Sequence, residues 1–245
     1  MKVDVLGLKI DDVGMEDAVA ASFSFIDDPG CHCIFTPNAE MAMTAVKSPE
    51  FMAVLNSSDL LVPDGAGVVL GARILGTPLK SRVPGVDLVN NILSSGRALS
   101  VFLLGGAPGI AEKAADIIKQ LHSNISVVGT MHGYHPASFE DELVGHINRV
   151  KPDLLLVALG VPAQEMWIHR NRHRLNARLC IGCGGTIDIL SGAARRAPSF
   201  FIRMNLEWLH RLIRQPKRFF RMLRIPAFLF LCIKKRLFGK SIEAV

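Results

Sequence analysis

At 245 residues and 49% hydrophobic composition, the chain can form one large domain, or a domain with an appendage, and is too apolar to be disordered. Its formal net charge of +6 hides a division: from Arg195 onward there are 13 Lys/Arg against 2 Asp/Glu, whereas the first 194 residues carry 15 against 20. An acidic body with a basic tail points to an anionic partner for the tail alone.

No apolar run reaches the roughly 18 to 20 residues that a membrane-crossing helix needs. The opening MKVDVLGLKIDD carries acids and no long apolar core, so no secretory signal is expected and the reading is cytoplasmic. Val3 to Leu6 reads as a short strand and Met15 to Ile26 as a helix. Cys31 to Phe35 is an apolar strand ending in Thr36-Pro37-Asn38-Ala39-Glu40, where a helix begins. Thr36 and Asn38 stand there either as helix caps or as ligands.

Leu60-Leu61-Val62 then runs into Pro63-Asp64-Gly65, a turn signal in which proline fixes φ and glycine permits positive φ. A periodic helix over Ala66 to Leu75 follows. Asp64 therefore sits where a buried strand hands over to a helix, the edge at which open α/β sheets bind ligands. Capping the helix is its plainer reading. Arg82 lies in a second break, Ser81-Arg82-Val83-Pro84-Gly85, before a helix near Val86 to Leu93.

Ser100 to Leu104 reads as a strand that enters Gly105-Gly106-Ala107-Pro108-Gly109 and a helix to Leu121. Gly105 and Gly106 can bring backbone N–H groups toward a phosphate. Their spacing is not G-x-G-x-x-G and no P-loop lysine follows, so a hydride-transfer cofactor is not favoured. Ile125 to Val128 is a strand and Glu140 to Val150 a helix; Leu154 to Leu159 is a strand broken at Gly160-Val161-Pro162. Gln164 then opens a helix, placed to orient a sugar hydroxyl or simply exposed. Leu179 to Ile181 leads into Gly182-Cys183-Gly184-Gly185-Thr186-Ile187-Asp188, where Gly185 and Asp188 follow a strand in the same way. Buried strands alternating with helices predict a Rossmann-like parallel sheet with helices on both faces, over residues 1–194.

Cys31 and Cys33 with Cys180 and Cys183 lie in or beside buried strands and read as core thiols rather than a zinc site. His169 and His173 share a helical spacing but lack HExxH and a third ligand. No Asp-x-Asp occurs anywhere, so no metal is expected. Residues 195–245 read as a basic amphipathic helical appendage in which Phe200-Phe201-Ile202, Trp208-Leu209 and Phe219-Phe220 alternate with arginines. Pro216 and Pro226 should start or break helices. The apolar run Phe228-Leu229-Phe230-Leu231 favours a membrane interface over nucleic acid, and an oligomer interface is a third reading.

Six ordered stretches together resemble the WecG/TagA/CpsF family of bacterial glycosyltransferases over nearly the whole chain. They are Thr36-Pro37-Asn38-Ala39-Glu40; Pro63-Asp64-Gly65 with Arg82-Val83-Pro84-Gly85-Val86-Asp87-Leu88; Leu104-Gly105-Gly106; Gly160-Val161-Pro162-Ala163-Gln164-Glu165; Gly184-Gly185-Thr186-Ile187-Asp188; and Glu207-Trp208-Leu209-His210-Arg211-Leu212 before Pro216. The resemblance implies an inverting, metal-independent transfer of a sugar from a UDP donor to a polyprenyl-diphosphate-linked sugar at the inner membrane face. Donors of the N-acetylmannosamine, N-acetylmannosaminuronate or glucose and glucuronate type are implied, with no cofactor. It further implies Asp64 as base, Thr36, Asn38, Arg82 and Gln164 as active-site positions, and Arg211, Arg218 and Arg221 as contacts to the lipid diphosphate. Gly133-Tyr134-His135 departs from the family pattern, with histidine where many relatives carry an aromatic, which leaves donor identity open. The alternatives are a sugar-nucleotide oxidoreductase or epimerase, which would need NAD(H), and a basic nucleic-acid-binding protein, whose affinity would fall steeply with salt.

Overall fold

The computed structural model describes residues 1–204, 206–214 and 222–239. The chain begins with a hairpin in which β1 (Lys2–Val5) pairs antiparallel with β2 (Leu8–Asp11). Leu6 and Gly7 both take positive φ, 55° and 96°, as a two-residue turn between twisted strands requires. The sequence reading has only the first of these strands. Four alternating residues in β2 are too short a signal beside an Asp-Asp pair.

The main sheet comprises β3 (His32–Phe35), β4 (Leu60–Leu61), β5 (Leu99–Gly105), β6 (Ile125–Met131), β7 (Leu154–Ala158) and β8 (Leu179–Gly182). Among the described residues its order is β4-β3-β8-β7-β5-β6, and every pairing is parallel. Alternate side chains face opposite ways, so each strand feeds two cores. Cys33 and Phe35 of β3 and Leu155 and Val157 of β7 join one layer. That layer includes α2 (Ala39–Lys47), α3 (Pro49–Asn56), α4 (Ala66–Leu75), α7 (Glu140–Val150) and α8 (Ala163–Asn171). Ile34, Leu154 and Leu156 join the other, with α1 (Met15–Asp27), α5 (Gly85–Leu93), α6 (Ile110–Leu121) and α9 (Thr186–Leu190). The predicted Rossmann-like architecture, helices on both faces of a parallel sheet, is the one observed.

The chain runs from β3 outward to β4, then crosses to β5 on the far side of the sheet and later returns through β7 to β8. This reversal parts the loops at the carboxyl ends of the central strands and opens a crevice between them.

The C-terminal part contributes α10 (Ser199–Arg203), α11 (Glu207–Arg214) and α12 (Arg224–Phe238). Pro226 falls in the first turn of α12, where the missing N–H has no helical partner to lose. The helix lies against α4 and α2, with Phe228 and Cys232 wholly buried. Gly71 makes this possible: a Cβ there would stand 2.6 Å from Cε1 of Phe228 and 3.0 Å from Sγ of Cys232. Arg236 donates to the carbonyl oxygen of Leu75 at 3.2 Å, satisfying the end of α4, and Lys235 pairs with Asp4 at 3.2 Å. The expected division after Ala194 remains a proposal, and core packing runs across it. On the opposite side of α12, Phe230, Leu237 and Phe238 are each at least 65% exposed. Among the described residues no helix is long and apolar enough to cross a membrane.

Candidate active site

Three of the singled-out loops are stitched together by backbone hydrogen bonds. The N–H of Val62 donates to Phe35 O at 3.0 Å, that of Asp64 to Pro37 O at 3.1 Å, and that of Val83 to Pro63 O at 2.8 Å. The loop after β3, the loop after β4 and the loop before α5 thus extend the parallel ladder past the strand ends. Their side chains meet in a cleft of about 120 Å³ at the carboxyl edge of β3, β4, β7 and β8.

Thr36, Asn38, Asp64, Gln164 and Gly185 all line that cleft. Asn38 is the N-cap of α2, its Oδ1 accepting from the N–H groups of Glu40 and Met41 at 3.0 Å each. Cap and cleft wall are therefore the same residue, and only the amide nitrogen is left to face a ligand. Asp64 receives the N–H of Gly85 on Oδ2 at 3.4 Å, which ties the carboxylate to the start of α5.

Gln164 is 2% exposed and its amide is held at both ends. Oε1 accepts the N–H of Gly184 at 3.1 Å, and Nε2 donates to Oε1 of Glu165 at 2.6 Å. One N–H of the amide remains, and Gln164 lines the cleft. Glu165 is wholly buried, and its Oε2 has no hydrogen-bond partner among the described residues.

Burial pushes the Glu165 carboxyl up to about 7 from 4.5, against the opposing pull of the Gln164 N–H. Between those values the folded protein keeps a proton that the unfolded chain has released. This group's contribution is therefore fully present below about pH 4.5 and is lost as pH rises through 7, by on the order of 3 kcal/mol. Glu165→Gln should remove that slope. Urea unfolding at pH 5 and pH 8 should show the variant gaining on the wild type by on the order of 3 kcal/mol. An equal difference at both pH values would mean that Glu165 is not held neutral.

Arg82 reaches the cleft indirectly. Its Nη1 donates to Oε2 of Glu207 at 2.9 Å, and Glu207, the first residue of α11, lines the cleft. Glu207 Oε1 also lies 3.5 Å from Nε of Arg196, whose terminal nitrogens grip Asp87. Glu207 stands in one of the quoted motifs, yet the sequence reading assigns no role to it, to Arg196 or to Glu165. A contact between residues 82 and 207 leaves no local pattern to read.

Gly105, Gly106 and Asp188 do not line this cleft. Gly105, at φ 133°, crosses β7 so closely that a Cβ would lie 2.3 Å from Ala158 O. The N–H of Gly106 points at that same oxygen, 3.4 Å away. Their turn ends β5, the neighbour of β7, and so flanks the cleft. Asp188 sits in the first turn of α9, its carbonyl accepting from Ala194 N at 2.9 Å. Arg211 lies on α11; Arg218 and Arg221 fall outside the described residues. Among the described residues no three His, Cys, Asp or Glu side chains gather as metal ligands would.

The family model for the glycosyl transferase WecG/TagA/CpsF family matches residues 3–242. An N-acetylglucosaminyldiphosphoundecaprenol N-acetyl-beta-D-mannosaminyltransferase of Bacillus subtilis is 37% identical over 213 residues, 86% of this chain and 82% of its own length. A transferase of the same name from Bacillus spizizenii matches to the same extent. One from Staphylococcus aureus is 32% identical over 240 residues, covering 96% of this chain and 93% of its own. A cleft at the switch point of a parallel sheet, built from the motif loops themselves, and matches along the whole chain agree: the protein belongs to the WecG/TagA/CpsF family and is a glycosyltransferase.

Proposed function

We propose that this glycosyltransferase moves N-acetylmannosamine from a UDP donor to N-acetylglucosamine carried on a polyprenyl diphosphate, inverting the anomeric centre without a metal. The observation that carries the reading is the convergence of Thr36, Asn38, Asp64 and Gln164 from separate loops on one cleft. The relatives' names supply the two sugars and the lipid diphosphate.

In this reading the Asp64 carboxylate takes the proton of the acceptor hydroxyl while that oxygen attacks the anomeric carbon. The bond to UDP breaks on the opposite face, and UDP departs with the electron pair. One displacement turns an α-linked donor into a β-linked product, matching the relatives' beta-D-mannosaminyl. Asn38 and Gln164 each have amide N–H to offer to sugar oxygens, and Thr36 offers a hydroxyl. Arg82 serves the charge that develops on the leaving diphosphate, where related chemistry uses a cation. Gly105, Gly106, Gly185 and Asp188 would meet the nucleotide end of the donor. Arg211, Arg218 and Arg221 would meet the lipid diphosphate. The exposed Phe230, Leu237 and Phe238 beside Lys234 and Arg236 suit the inner membrane surface.

The test is UDP release with a short-chain polyprenyl-diphosphate N-acetylglucosamine acceptor, using UDP-linked N-acetylmannosamine, its uronic acid and glucose in turn, with and without EDTA. The N-acetylmannosamine donor should turn over fastest, and EDTA should leave its rate unchanged. Preference for another donor would overturn the donor assignment. Loss in EDTA that Mg²⁺ restores would overturn the role given to Arg82.

A further inference from the structure

Arg82 is already engaged. Glu207 offers one carboxylate oxygen to Nη1 of Arg82 at 2.9 Å and the other to Nε of Arg196 at 3.5 Å. The Glu207 and Arg82 side chains are only 13% and 15% exposed. Both terminal nitrogens of Arg196 are occupied by Asp87, which fixes the guanidinium in place. Its Nε, the atom turned toward Glu207, makes no hydrogen bond among the described residues. Two arginines thus approach from separate loops, one before α5 and one before α10, and a carboxylate from α11 sits between them.

We propose that Arg82 and Arg196 form a binding site for a diphosphate group, and that Glu207 fills it as an internal counter-ion which the entering anion displaces. The proposal rests on the transferase reading only for which diphosphate enters. The charge balance carries it. Two guanidinium groups against Asp87 and Glu207 leave the cluster neutral, so it has no field to attract an anion while Glu207 stays. With Glu207 gone, one positive charge and two shielded N–H faces are exposed at the cleft wall. Guanidinium N–H groups suit phosphate oxygens as well as carboxylate oxygens, and a diphosphate brings more charge than Glu207 offers. Both anions cannot be held together, because like charges at hydrogen-bond range repel in a shielded site.

Glu207 is the first residue of α11, the helix that carries Arg211. Displacing it frees the start of that helix, so anion entry repositions the segment that is proposed to meet the lipid. Diphosphate occurs in both proposed substrates, the nucleotide donor and the lipid-linked acceptor, and the shared chemistry defines the site.

Calorimetric titration of the full chain with inorganic pyrophosphate tests the proposal without any turnover, so failure of sugar transfer would leave it untouched. Glu207→Gln keeps the shape of the side chain but removes its charge. It should bind pyrophosphate about five- to tenfold more tightly than the wild type. Adding Arg196→Gln to that variant should cancel the gain. Parallel titrations with UDP and with a short-chain prenyl diphosphate separate the two sources, because only the natural occupant's affinity should rise with that of pyrophosphate. The unaltered protein gives an independent readout that does not rely on a folded variant. Trp208, adjacent to Glu207 and 38% exposed, should change its emission on pyrophosphate binding, over a constant background from the buried Trp167. Unchanged or weaker pyrophosphate binding by Glu207→Gln, or unchanged Trp208 emission on binding to the wild type, would show Glu207 to be a fixed support for Arg82 and overturn the proposal.

Discussion

Asp64→Asn is expected to lower sugar transfer by about 10²- to 10⁴-fold, the usual contribution of a general base. The substitution keeps two contacts of Asp64. The backbone N–H still donates to Pro37 O at 3.1 Å, and an amide oxygen can still accept the N–H of Gly85. The amide cannot take a proton at neutral pH. UDP binding should therefore stay within a few-fold of the wild type by calorimetry, while initial rates of UDP release in the presence of acceptor fall. Turnover near the wild-type rate would remove Asp64 from the mechanism.

The other large effect concerns stability. Phe228→Ala should cost about 3 to 5 kcal/mol, the range for deleting an aromatic ring from a packed core. Phe228 is wholly buried, and its ring lies against Gly71 on α4, where a single Cβ would approach to 2.6 Å. Gly71 has no side chain of its own to collapse into the void. Cys232, one turn further on, loses part of its packing too. Urea unfolding should report the loss as a lower midpoint with an unchanged slope. A loss below about 1 kcal/mol would mean that α12 merely rests on the body.

The same helix shows what sequence can and cannot convey. Its charge and apolar pattern read as a membrane-facing appendage, and Phe230 and Leu237 do face outward. Phe228, in the same apolar run, faces inward instead. Nothing in the run distinguishes these residues. The distinction lies 157 positions earlier, in Gly71, whose missing side chain makes room on α4. By contrast, the helices at Ala66–Leu75 and Glu140–Val150 have the bounds that periodicity predicts. Each follows a clear break: a Pro-Asp-Gly turn for the first, a loop with Gly133 and Pro136 for the second.

Legibility at the cleft divides in the same way. Asp64 is readable because a turn between strand and helix puts a residue at the sheet edge whatever the order of the strands. That order, β4-β3-β8-β7-β5-β6, decides which loops become neighbours and has no local signature. It brings the Gln164 loop to the Asp64 loop, while the Gly105-Gly106 turn stands one strand further out. A glycine pair suited to cradling a phosphate is equally suited to crossing a neighbouring strand, and at Gly105 the crossing is visible in the 2.3 Å approach to Ala158 O. Glu165 is hidden for another reason. A glutamate near a helix start ordinarily reads as exposed, and only the packed structure reveals it as wholly buried beneath Gln164.

The central claim is that one cleft performs a single inverting displacement on a lipid-linked acceptor. The most direct measurement is the anomeric configuration of the product formed from UDP-N-acetylmannosamine and a polyprenyl-diphosphate N-acetylglucosamine, read by NMR of the purified disaccharide. The account predicts a β linkage from an α-linked donor, with one UDP released per disaccharide. An α-linked product would require two displacements or front-face chemistry, which a single base at Asp64 does not provide, and would contradict it.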